Sequence, residues 1–239
     1  MKYLKIFFGS VLLILITACS TSGSDSAQTS DPDAFLKKSF DEKDMVLVNQ
    51  VIDYYDNFVL SKTGQKKSIK DAYQEFVTEN APLSEKQGSL SNFIPSRENR
   101  LAFFETLDKD VLSKFFHIRD TLFWHSKEGF VEAEYYPYQF SSTNTKYLNF
   151  IKSLSTRNEF YSSYNEEIEL FYGFSPAVFA TIIKTYSNEH EKKFSEAFNF
   201  SKKEDRFVFI ATFLFTDNLS DEHNSMFRKR MTLRYGREG

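Results

Sequence analysis

The chain has a single cysteine, Cys19, so no internal disulfide can staple it. Backbone breakers are scarce, 8 Gly and 5 Pro in 239 residues, which weighs against a fold built from many tight turns. No Gly-rich phosphate loop and no Gly-x-Ser-x-Gly elbow occurs, so neither of those catalytic frames is present. No apolar run approaches the roughly 20 residues that a membrane-spanning helix requires. Positive charge is not in excess: 30 basic residues face 33 acidic ones, a net charge of −3. That balance leaves no general footprint for nucleic acid. No repeat of fixed period runs through the chain, which removes a solenoid from consideration.

What is present begins at the amino terminus. Lys2 and Lys5 form a short positive head, and residues 6–16 are apolar except for Gly9 and Ser10. Thr17, Ala18 and Cys19 follow, then a polar stretch. A charged head, a short apolar core and small residues at a cut site are the parts of a secretory signal. The last four residues, Ile16-Thr17-Ala18-Cys19, resemble the lipobox of bacterial lipoprotein precursors. The resemblance covers the leader alone. It implies cleavage before Cys19, lipid attachment at the Cys19 sulfur and acylation of the new amino terminus. The membrane is then a partner through the N-terminal lipid, and several acyl chains suffice for stable anchoring. The lone cysteine is accounted for without a redox or metal role.

Position in the envelope follows from the same resemblance. In the sorting rule of enteric bacteria, Asp beside the lipidated Cys marks retention in the inner membrane; here Ser20 stands there. The expectation is the periplasmic face of the outer membrane. The acidic run that marks some surface-exposed lipoproteins is missing, since only Asp25 precedes Asp31.

Three segments result: residues 1–18 as signal peptide, 19–31 as lipidated Cys and flexible tether, and 32–239 as a single α-helical domain. The tether expectation rests on residues 20–30, STSGSDSAQTS, which are small, polar and almost without apolar side chains. Asp25-Ser26-Ala27 and Asp120-Thr121-Leu122 resemble a three-residue bacterial O-glycosylation acceptor, a pattern too short to separate from plain linker. Loss of Lys2 and Lys5 with the leader takes the net charge from −3 to −5. A mildly acidic body is not drawn over its whole surface onto an anionic membrane.

The body reads as an all-α domain, an irregular bundle of roughly seven or eight helices with a less regular middle segment. Met45, Val48, Ile52, Tyr55 and Val59 make one helical stripe, with Asp41, Glu42 and Asp44 at its positive end and Gly64 as its stop. Ser68 to Asp71 opens a second helix that Pro82 is expected to end. Ser96 caps a third, and residues 111–118 continue it or form another after Asp108. Residues 120–142 are the least helical; 122–124 and 130–131 pair as a hairpin only if a very brief alternation counts. Thr143 or Asn144 starts the next helix. Thr156 to Glu159 and Ser201 to Glu204 read as capping boxes, Ser175-Pro176 as a restart and Ser220 as the cap of a last helix. Residues 207–215 are nearly all apolar and read as a central, fully buried helix rather than a strand.

Candidate chemistry is sparse. Glu189-His190-Glu191 begins like a zinc-protease helix, but Phe194 occupies the place of the second His, so the motif fails. Arg228, Lys229, Arg230, Arg234 and Arg237 form a basic cluster that suits a solvated helix end. In the middle segment, Trp124, His125, Tyr135, Tyr136 and Tyr138 are the candidate binding residues, because aromatic rings around Pro137 make an edge for a partner peptide or glycan. His117 and His125 are the alternative metal ligands of an enzyme reading, a metal-assisted hydrolase acting on envelope material. No cofactor is implied. The main expectation is a non-catalytic accessory lipoprotein that binds a partner or ligand, with an envelope protein as candidate partner. The high counts of 27 Phe and 13 Tyr fit either core packing or an aromatic binding surface.

Overall fold

The computed structural model describes residues 33–87, 91–125, 131–171 and 198–215, all within the unit Asp31–Gly239. The leader, Cys19, the tether, the Ser175-Pro176 helix, the Glu189-His190-Glu191 segment, the Ser220 helix and the basic cluster lie outside the described residues. Eight helices are described: α1 Ala34–Ser39, α2 Glu42–Thr63, α3 Ile69–Gln87, α4 Arg97–Phe104, α5 Lys109–Phe115, α6 Thr145–Leu154, α7 Glu159–Phe171 and α8 Lys203–Leu214. A 3-10 turn, Ser91–Phe93, precedes α4. Between α5 and α6 stand two strands, β1 Phe116–His125 and β2 Val131–Thr143, paired antiparallel. The body is therefore mostly helical with a small antiparallel sheet, and the all-α expectation is corrected.

The organising element is α8. Every residue from Glu204 to Leu214 is buried. From Phe207 onward the helix is apolar on every side but for Thr212 and has no solvated face to spare, so it takes the centre of the bundle. Phe209 shows how the centre is filled: its ring lies within aromatic contact of Tyr55, Tyr73, Phe93, Phe198, Phe200 and Phe213. Each fully buried Phe contributes about 1.5–3 kcal/mol by leaving water. Among the described residues the aromatic wealth of the sequence is spent mainly on this core, with Tyr135 as an exposed exception.

Polar groups on α8 would defeat that burial if left unpaired. Asp205 accepts hydrogen bonds from the Tyr161 hydroxyl at 2.7 Å, Arg157 at 3.0 Å and the Asn199 backbone N–H at 2.7 Å. Arg206 pairs with Asp56 at 3.2 Å and donates to the Phe200 carbonyl at 2.8 Å. Thr212 and the Tyr164 hydroxyl share a hydrogen bond at 2.6 Å. At the negative end of the helix, Arg100 donates to the Leu214 carbonyl at 3.5 Å.

The stripe on α2 lies in the core, with Val48, Ile52, Tyr55 and Val59 all fully buried. Its start is a capping box: Asp41 accepts from the Asp44 backbone at 3.0 Å, and Asp44 accepts from the Asp41 backbone at 3.2 Å. The buried Asp44 carboxylate also meets Lys146 of α6, and Lys114 of α5 at 3.7 Å. Gly64 ends the helix at φ 105°, where a side chain would be strained.

Three local expectations differ from the structure. Pro82 does not end α3, which runs on to Gln87; a proline removes one backbone donor, a loss that a long helix can absorb. Thr156 is not the cap of α7, since Asn158 accepts the Tyr161 backbone N–H instead at 3.0 Å. Ser201 does not cap α8, whose N-cap position is Lys202; the Asp205 side chain, in the first turn, is turned onto Asn199 and Tyr161.

Candidate functional site

The middle segment forms a β-hairpin standing between two helices. α5 ends at Phe115 because the chain turns extended at Phe116, with φ −140° and ψ 142°. The expected continuation of a helix to Ile118 is thereby corrected. β2 returns to Thr143, and Asn144 closes the base. Asn144 donates its backbone N–H to the Phe115 carbonyl at 2.7 Å and its side-chain amide to the Ser113 carbonyl at 2.8 Å. Its side-chain oxygen accepts the Thr145 N–H at 2.8 Å and so caps α6. One residue thus holds the hairpin's exit strand, the end of α5 and the start of α6 together.

The base of the hairpin belongs to the core. Phe116 and Phe140 lie against Phe215, with centroids 4.2 and 4.8 Å away, and Phe104 meets Phe140 at 5.1 Å. Beyond the base the ladder is broken twice. Ile118 pairs with Phe140 and His117 with Ser142, leaving Ser141 as an extra residue on β2. Arg119 pairs with Gln139 and Thr121 with Tyr135, so Tyr136, Pro137 and Tyr138 together stand opposite Asp120. Pro137 lacks a backbone donor, and a bulge is where a strand tolerates it. The bulge costs strain: Tyr138 is the described non-glycine residue held at positive φ, 57°.

The candidate tyrosines around the bulge differ in burial. Tyr138 is 7% exposed and packs against Phe104 at 5.5 Å. Tyr135 is 73% exposed. The Lys109 ammonium at the start of α5 stands over the Tyr138 ring, 5.1 Å from its centroid. The Tyr138 hydroxyl is the chief cause that raises the Lys109 pKa above its ordinary value, with Tyr135 and Glu105 adding to it. The positive charge beside the bulge is therefore fixed at neutral pH.

The other candidates sit further out. Trp124 pairs with Glu132 and His125 with Val131 at the far end of the hairpin, and Tyr136 lies in the bulge. The side chains of Trp124, His125 and Tyr136 fall outside the described set. His117 is exposed near the base of β1. His117 and His125 stand eight residues apart on one strand, so their Cα atoms are separated by about 26 Å. They do not converge on one ion. Among the described residues no group of three or more His, Cys, Asp or Glu is placed to hold a metal. Nor, among them, is any helix long and apolar enough to cross a membrane.

Among the described residues the arrangement is an exposed phenol, a neighbouring ammonium and a strained backbone, held on a core-anchored arm. Lys109 escaped the sequence reading because no local spacing links it to Tyr138. The burial of Tyr138 escaped because the segment could not be assigned as a strand; once it is one, Tyr135 and Tyr138, three residues apart, fall on opposite faces. The chain matches no family model, no curated protein and no solved structure.

Proposed function

We propose that the protein is a lipid-anchored lipoprotein of the bacterial envelope, held by Cys19 on the periplasmic face of the outer membrane. It acts there as a non-catalytic accessory protein that binds a partner. The observation that carries this reading is the leader, with its positive head, its eleven-residue apolar core and Ile16-Thr17-Ala18-Cys19 at its end. Residues 20–30 serve as the tether between lipid and body. An exposed tyrosine beside a fixed positive charge, on an arm rooted in the core, supports the hairpin as the contacting part. Tyrosine presents a large amphipathic surface at little entropic cost, which is why interfaces favour it.

The test is crosslinking of the tagged, full-length protein in living cells of its source, with Cys19→Ala run beside it. One reproducible envelope protein, captured by the wild type and lost without the anchor, is the expected result. Repeated trials without any captured partner would overturn the accessory reading.

A further inference from the structure

We draw no further inference here: the strongest candidate, the outer part of the β1–β2 hairpin around exposed Tyr135 and the bulge at Tyr138, belongs to the site already described, and nothing among the described residues shows what covers it.

Discussion

The Tyr161 hydroxyl donates to the Asp205 carboxylate at 2.7 Å, and both groups are buried. Burial first, and then the Asp205 charge, pushes the Tyr161 pKa well above its ordinary value, so the hydroxyl remains a donor. This pair joins α7 to the first turn of the central helix. Tyr161→Phe is expected to cost about 1–3 kcal/mol, since Asp205 keeps its other two donors. Asp205→Ala strips all three and leaves Arg157 facing a half-empty site; its expected cost is about 3–5 kcal/mol. The double variant should cost less than the sum, because both changes remove the same contact. Urea unfolding of the three variants measures this, and strict additivity would contradict the coupling.

Phe209 and Tyr135 make a contrasting pair. Phe209→Ala removes a fully buried ring from the centre of the aromatic cluster, and a loss of about 3–5 kcal/mol is expected. Tyr135→Ala removes a mostly exposed ring and should change stability by no more than about 0.5 kcal/mol. A thermal melt of each variant checks both values. If Tyr135→Ala destabilised as Phe209→Ala does, the hairpin would be part of the core along its whole length.

Tyr135→Ala also tests the contacting role. Capture of the crosslinked partner should fall several-fold in this variant while the melting temperature holds. Lys109→Ala, which takes away the charge over the Tyr138 ring, should weaken capture as well. Unchanged capture in both folded variants would remove the hairpin as the contacting arm.

The start of α2 gives a pH dependence. The Asp44 backbone N–H is the largest cause that lowers the Asp41 pKa, from 3.8 to about 2, with the Asp44 and Lys146 side chains adding to it. A depressed folded-state pKa means that the carboxylate stabilises the fold above pH 3.8 and that this contribution is lost as pH falls toward 2. Asn caps a helix about as well as Asp but does not titrate. Wild type should therefore exceed Asp41→Asn in stability at pH 5, and the two should converge near pH 2. A difference that stays constant over that range would contradict the cap's charge dependence.

How much of this was legible depended on the range of the forces involved. α2 was readable because its stripe, its acidic start and Gly64 all act within a few residues. α8 was readable because an apolar run between helices has few places to go. The hairpin was not, because its alternation is interrupted by Ser141 and by the three residues opposite Asp120. Only pairing across the strands shows that residues 116–125 and 131–143 form one unit. The caps of α7 and α8 failed for different reasons: Asn158 caps α7 locally, two residues beyond Thr156, while Asp205 is held by Tyr161 and Asn199, partners that the Ser201 pattern does not reveal. At the site, Tyr135, Tyr136 and Tyr138 look equivalent around Pro137 until the segment is known to be a strand; Tyr138 then shares its side with Phe140 against Phe104, and Tyr135, three residues away, faces out.

The most direct test of the central claim is metabolic labelling with a fatty-acid analogue, followed by fractionation of cells carrying wild type or Cys19→Ala. The account predicts labelled wild type in the outer-membrane fraction. It predicts unlabelled Cys19→Ala, either released from the membrane or retained as the uncleaved precursor. Equal membrane fraction and equal mobility of the two, with no label on either, would contradict the lipid anchor.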